Sequence, residues 1–249
     1  MENAGRLIGK GNTANVYEWT DGKVLKLFHQ SYPKDAIEKE FQNTRAIAHM
    51  NFSKPSAYEI IKYKQQMGIV YDRLDGELLL DMIFRTEDLL PCALYMANLH
   101  KKILQNSIKN IQSYKVFLKS NIMSTKTEER EKILLKLEDL PEGSSLCHGD
   151  FHPGNIIISN GKAIIIDFMN ISSGHYLYDI ARTVFLIQYT PVPADVTDKE
   201  KLLKVKKTLA DLYLQKMSVT RDMIKEYLPV IIAARAGECP EEILDDILD

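Results

Sequence analysis

The sequence is poor in the features that mark secreted, membrane-spanning and fibrous chains. Its 249 residues include three irregularly spaced cysteines (Cys92, Cys147 and Cys239) and one tryptophan. The longest aliphatic run is only Val230-Ile231-Ile232-Ala233-Ala234. A helical membrane span needs ~20 apolar residues, so none is expected. An odd, sparse set of thiols fits reduced cysteines better than a disulfide framework or a zinc site. The opening residues Met1–Arg6 lack a charged leader followed by an apolar stretch, so no signal peptide is expected. Neither sign of charge is in excess: 32 Lys+Arg against 34 Asp+Glu give a net charge of −2. Dedicated nucleic-acid and membrane-surface proteins carry a basic surplus, and neither partner is expected here. Repeats and low-complexity tracts are also lacking. The expectation is a soluble cytoplasmic protein, monomeric or weakly dimeric.

What is present is ordinary globular material, 45% hydrophobic and 27% charged. The first 76 residues read as sheet-rich. Strands are expected over 6–8, 15–19 and 24–28, with Asp21-Gly22 as a hairpin signal between the last two. A helix over about 34–50 follows, with Ile37, Phe41, Thr44 and Ala48 on one face. Further strands near 57–63 and 67–72 complete a five-stranded unit carrying one helix. After Gly76 the pattern turns helical, over 77–84, 88–106, 110–121 and 127–139. A turn-rich stretch at 146–167 holds two β runs, 155–159 and 162–166, joined by Asn160-Gly161. Helices resume over 177–189, 197–217, 221–236 and 240–248. The fold class is therefore α+β, with a small lobe over 1–76 and a larger, mainly helical lobe over 77–249.

The chemistry is concentrated in Cys147-His148-Gly149-Asp150-Phe151-His152-Pro153-Gly154-Asn155 and in Ile165-Ile166-Asp167-Phe168. Asp150 and Asn155 share a loop just before a strand, and Asp167 ends the next strand. A hairpin there brings Asn155 and Asp167 together as two oxygen ligands suited to Mg²⁺. Asp150 is left to accept a proton or orient a hydroxyl. A rival is a transition-metal site of His148, Asp150 and His152, but Gly149, Pro153 and Gly154 disfavour the helix that such a histidine spacing uses. A plain loop whose Asp and Asn cap turns is a third reading, and it leaves the combined spacing unexplained.

Asp150-x4-Asn155 followed by Asp167-Phe168 has the spacing of the protein-kinase catalytic loop and metal-binding segment, with Gly149 where that family has arginine. The string His-Gly-Asp-x-His-x-Gly-Asn resembles the aminoglycoside phosphotransferase and choline kinase branch of the kinase-like fold. Tyr178-Asp179-Ile180-Ala181-Arg182 resembles that branch's third motif. The resemblance covers nearly the whole chain. It implies a bilobal protein-kinase-like fold and a phosphotransferase that uses ATP and Mg²⁺ on a small-molecule hydroxyl acceptor. By its motifs Asp150 is the catalytic base, Asn155 and Asp167 hold the metal, and His148 and Asp179 support the catalytic loop.

The N-terminal half agrees. Gly9-Lys10-Gly11-Asn12-Thr13-Ala14-Asn15-Val16 lies between two strands, where backbone N–H groups can face phosphates, with Ala14 in place of a third glycine. By the resemblance Gly9, Gly11, Asn12, Thr13 and Val16 contact the nucleotide, and Lys26 binds its α- and β-phosphates. Read alone, Lys26 among Val24, Leu25, Leu27 and Phe28 is a lysine on an exposed strand face. Its partner is a helix glutamate, either Glu38 or Glu40. At 100° per residue Glu40 lies closer to the apolar face. Ile69–Gly76 resembles the hinge, so Tyr71, Asp72 and Leu74 are placed against adenine.

Aminoglycoside kinases hold polycations with acidic residues near the C-terminus, and Glu238–Asp249 has six carboxylates and no basic residue. The competing reading is an amphipathic helix burying Ile243, Leu244 and Ile247. The five lysines of Lys199–Lys207 read as the wet face of a helix. Two alternatives to a small-molecule kinase remain, a nucleotide-binding regulatory pseudokinase and an atypical protein kinase. The short interval from Phe168 to Asp179 and the lack of an Ala-Pro-Glu motif count against the second.

Overall fold

The computed structural model describes residues 4–20, 22–125, 129–193 and 196–242. In chain order the strands and helices are β1 (Leu7–Lys10), β2 (Ala14–Glu18), β3 (Lys23–Phe28), α1 (Lys34–Ala46), β4 (Ala57–Tyr63), β5 (Gln66–Asp72), β6 (Glu77–Leu78), α2 (Leu79–Thr86), α3 (Leu89–Leu104), α4 (Tyr114–Ser124) and α5 (Arg130–Asp139). There follow β7 (Ser145–Cys147), a 3-10 turn (Pro153–Asn155), β8 (Ile156–Ser159), β9 (Lys162–Ile165), β10 (Ser172–Gly174), α6 (Tyr176–Gln188), α7 (Lys199–Met217), α8 (Arg221–Ile224) and α9 (Leu228–Glu238). The expected α+β class is what is found.

The chain divides into two compact units. One is the chain up to Glu77 together with Ile157–Asn170; the other is Leu78–Ile156 with Ile171–Asp249. The β8–β9 hairpin was expected in the second lobe, yet most of it joins the first. Its bonds explain why. Ile165 N–H donates to Ser53 O at 3.1 Å and Ser159 Oγ to Asp75 O at 2.6 Å. Phe168 packs its ring 6.4 Å from that of Phe52.

In the first unit an antiparallel sheet takes the order β1-β2-β3-β5-β4. Alternation along β3 sorts its side chains between two faces. Val24 and Phe28 join Ile37 and Phe41 of α1 in one cluster, while Leu25 and Leu27 meet Val70, Trp19 and Tyr63 on the other side. Lys26 shares the period of Val24 and Phe28, so it emerges on the face that α1 covers. The wet-face reading of Lys26 therefore fails. Helix α1 stops at Ala46, four residues short of expectation, and Ala48 lies exposed in the following turn.

In the second unit α3 packs on α7, α4 on α9, and α6 on both α7 and α9. Gly237 permits the α4–α9 approach, because a Cβ there would meet the backbone oxygen of Asn121. Strand β7 pairs with β10, Cys147 opposite Ser172. Cys147 was expected at a strand end, as found; β10 was not expected. Helix α4 begins at Tyr114 rather than near 110, because Ser113 caps it by accepting from Lys115 N–H at 3.2 Å. The helix expected over 221–236 breaks into α8 and α9, with Pro229 in the first turn of α9 where a missing N–H is harmless. Asp21 and the helix expected over 240–248 fall wholly or mostly outside the described residues. No helix among the described residues is long and apolar enough to cross a membrane.

Candidate active site

Two sets of polar side chains stand out, one in each unit. In the first, Lys26 Nζ lies 2.7 Å and 2.9 Å from the two carboxylate oxygens of Glu40 and 3.3 Å from Asp167 Oδ2. Both partners of the shorter pair are well enclosed, with side chains 15% and 2% exposed. Burial opposes the charge on Lys26, but the Asp167 and Glu40 carboxylates outweigh it and push the ammonium above the ordinary lysine range. Glu38, the other candidate partner, is exposed. Asp167 adopts a left-handed backbone (φ 67°), uncommon for a non-glycine residue and often a mark of a constrained site.

Tyr71, expected against adenine, instead buries its ring in the α1-facing core and donates its hydroxyl to Glu40 Oε1 at 2.8 Å. Burial and the adjacent carboxylate push that hydroxyl far above its ordinary pKa, so it stays a donor. Asp72 donates its N–H to Ser56 O at 3.1 Å and accepts from Ser56 N–H (2.8 Å) and Tyr58 Oη (2.5 Å). Leu74, half-buried, has no backbone partner among the described residues.

The β1–β2 connection is a short loop over 11–13, and Gly9 of β1 pairs with Val16 of β2 beside it. Gly11 N–H closes onto Ala14 O at 2.9 Å, so it is not free for a phosphate; Asn12 and Thr13 retain theirs among the described residues. Ala14 turns its methyl into the core, which is what a residue with a side chain does there that glycine cannot.

In the second unit the loop after β7 is bound from within and from behind. Asn155 Nδ2 donates to Asp150 O and Asp150 Oδ2, both at 2.9 Å. His148 Nδ1 accepts Asp150 N–H at 3.2 Å, and His152 Nδ1 accepts Gly154 N–H at 3.1 Å, capping the 3-10 turn. His152 Nε2 stands 3.7 Å from Asp150 Oδ2. Burial alone would raise the Asp150 carboxyl; His152 beside it and the permanent charge of the Arg182 guanidinium hold it below the usual range. Gly149 sits at φ 75°, a conformation that L side chains resist, which accounts for glycine where protein kinases carry arginine.

Asp179, on the first turn of α6, accepts His148 N–H at 2.6 Å and Gly149 N–H at 2.8 Å on separate oxygens. A third donor, His100 Nε2, meets it at 2.9 Å. Since a carboxylate can only accept, that ring nitrogen carries the hydrogen, and Nδ1 faces the Tyr213 hydroxyl at 2.5 Å. The His100 ring stacks on Phe151, 4.1 Å between centroids. Burial opposes ionisation of Asp179, yet these donors and the neighbouring histidines keep its carboxyl below the ordinary value.

His100, Asn43 and the guanidinium of Arg182 are parts of these sets that sequence reasoning missed. His100 lies mid-helix among Met96, Ala97, Leu99 and Ile103, all buried, and a polar residue at a core position was the available signal. The rival transition-metal site finds no support: each histidine has a ring nitrogen committed to a backbone N–H. Among the described residues no three His, Cys, Asp or Glu side chains cluster to hold a metal. Of the acidic C-terminal stretch, Glu238 pairs with Arg182 (2.7 Å) and Arg235 (3.3 Å), and Glu242 with Arg235 (2.8 Å). Ile243, Leu244 and Ile247 lie outside the described residues.

A model of the phosphotransferase enzyme family matches residues 124–204, the stretch that carries the catalytic-loop motif, Asp167 and Asp179. No curated protein sequence matches the chain. Among solved structures the chain is similar to an aminoglycoside-3'-phosphotransferase of type VIII, with 15% identity, 94% of this chain and 93% of that one covered, and a TM-score of 0.63. It is similar to the amicoumacin kinase hAmiN bound to AMP-PNP, Ca²⁺ and Ami, at 17% identity, 94% and 79% coverage and a TM-score of 0.60. A choline/ethanolamine kinase family protein from Mesorhizobium loti aligns at 12% identity, 95% and 90% coverage and a TM-score of 0.53. The fold is the kinase-like fold of these enzymes, and the resemblance read from the motifs holds at that level.

Proposed function

We propose that the protein is an ATP-dependent phosphotransferase that moves the γ-phosphoryl group to a hydroxyl of a small molecule. The observation that carries this reading is Lys26, an enclosed ammonium shared between Glu40 and Asp167. Such a cation, fixed in place and kept charged, is what placing α- and β-phosphates requires. Asn12 and Thr13 supply free backbone N–H groups for the phosphates. Adenine is read by the carbonyl of Asp72 and the backbone of Leu74, because the Asp72 N–H is engaged.

The residues fit a magnesium ion by their chemistry. Asn155 spends Nδ2 on Asp150 and keeps its amide oxygen, and Asp167 supplies a carboxylate. Mg²⁺ takes one or two such protein oxygens and fills its shell with phosphate and water. When bound, such an ion would supply charge neutralisation for the phosphates.

Asp150 orients the acceptor hydroxyl, and the proton passes to its carboxylate as the new P–O bond forms and ADP departs. Catalysis is then mainly positioning and charge neutralisation. The acceptor reading extends to aminoglycosides and amino alcohols. Glu238 and Glu242 are spent on arginines, which leaves them poor hosts for a polycation.

The competing protein-kinase reading is disfavoured, since β10 and the start of α6 occupy the segment where a peptide-seating loop would lie. An ATP-consumption screen across aminoglycosides, amino alcohols and sugars tests the proposal. Asp150→Asn should keep Mg·ATP binding and lose at least ~10²-fold in turnover. Undiminished turnover in that variant refutes the role of Asp150. ATP binding with no turnover on any acceptor favours the nucleotide-binding regulator instead.

A further inference from the structure

Gly149, the residue before Asp150, has both backbone polar groups taken by one face of α6. Its N–H goes to Asp179, and its carbonyl accepts from Arg182 Nε. Asp179 and Arg182 are three residues apart, neighbours on the helix surface. They act on different peptide planes: the N–H belongs to the His148–Gly149 linkage, the carbonyl to the linkage that carries Asp150. Arg182 is fully buried. The far end of its guanidinium forms two 2.7 Å bonds with the Glu238 carboxylate at the end of α9. Stripping water from a guanidinium is costly, and a pair meant only to join two helices is served as well by side chains at a wet edge.

We infer that Arg182, held by Glu238, is a positioning residue for Asp150: it fixes the Gly149–Asp150 peptide plane and so the direction in which the Asp150 carboxylate leaves the chain. The inference rests on the phosphotransferase reading for its consequence in turnover, and on the geometry alone for its consequence in the loop. Glu238→Gln keeps the shape of the side chain and removes the charge that anchors the guanidinium. Arg182→Lys keeps a charge but cannot serve the carbonyl and the carboxylate together.

In both variants amide hydrogen exchange over His148–Phe151 should rise about tenfold while β3 and α1 are unchanged. In parallel, kcat should fall about tenfold with the KM for ATP within about twofold of wild type. Unchanged loop exchange overturns the inference whatever the turnover, and so does raised exchange with full kcat. A fall in thermal midpoint with loop exchange and kcat per folded molecule intact marks a mere fold brace, which also overturns it. Raised exchange in a protein whose wild type turns over no acceptor supports the clamp on the loop and counts against the phosphotransferase reading instead. If Arg182→Lys fails to fold, Glu238→Gln decides alone, its side chain being partly solvent-exposed.

Discussion

Asn43 Nδ2 donates to the carbonyl oxygen of Phe168 at 2.8 Å, and to that of Met169 at 3.2 Å. The residue three positions past Glu40 on α1 thus holds the backbone next to Asp167. Lys26 bridges the same two segments through its carboxylate partners. Asn43→Ala leaves a buried carbonyl without its donor, and we expect a loss of ~1–3 kcal/mol in urea denaturation. The KM for ATP should rise as Asp167 loses its fixed relation to Glu40, and an unchanged KM would separate the bond from nucleotide binding.

Glu40 and Glu38 offer an internal control two residues apart. Glu40→Gln removes the nearer of two carboxylates from an enclosed lysine. Asp167 still compensates Lys26, so the loss should fall below the ~3–5 kcal/mol typical of a broken buried pair. The KM for ATP should rise about tenfold. Glu38→Gln, on the solvent side, should stay within ~0.5 kcal/mol and leave kinetics untouched. Equal effects of the two would contradict the pairing seen at Lys26.

Asp179 accepts three donors, and an amide in its place turns a donor of its own toward one of them. Asp179→Asn should cost ~3–5 kcal/mol at pH 7 in chemical denaturation. The folded carboxyl lies below its unfolded value of ~3.9. Its contribution is therefore complete above that value and disappears as pH falls through the depressed one. The gap between wild type and Asp179→Asn should narrow below pH ~4, and a gap that widens there would reverse the sign of the argument.

Gly149→Ala places a side chain at φ 75°, which costs ~1–2 kcal/mol. An arginine at 149 meets the same barrier, so Gly149→Arg should lose at least as much as Gly149→Ala. Both are measured by thermal unfolding, and an unstrained Gly149→Ala would show that the loop tolerates a second conformation.

How far the sequence led depended on the range of each interaction. The Lys26–Glu40 pair was legible through the resemblance, which gave Lys26 a helix glutamate as partner, and the helix phase of α1 then favoured Glu40 over Glu38; strand alternation alone had put Lys26 on an exposed face. The closeness of Asp150 and Asn155 was legible because one short loop joins them. The bonds from Asn43 to Phe168 and from His100 to Asp179 join residues 125 and 79 positions apart, and no local pattern announces them. The bond from Tyr71 to Glu40 was not legible, because a strand-end aromatic beside a hinge looks the same whether it faces a ligand or a buried glutamate. The break between α8 and α9 was missed because the apolar spacing continues across it.

The allegiance of the β8–β9 hairpin bears on how the protein is made. The chain leaves its first unit after Glu77 and returns to it only at Ile157, so β5 is complete long before Phe168 and Asp167 exist. A ribosome that has released only the first 77 residues has exposed a sheet and helix whose Asn43, Ser53 and Phe52 lack their partners. The first unit can be finished only after the first stretch of the second has emerged. The first unit, cut out as one continuous fragment, would lack Asp167 altogether, and stitching it to residues 157–170 is the smallest piece that carries the whole Lys26 cluster.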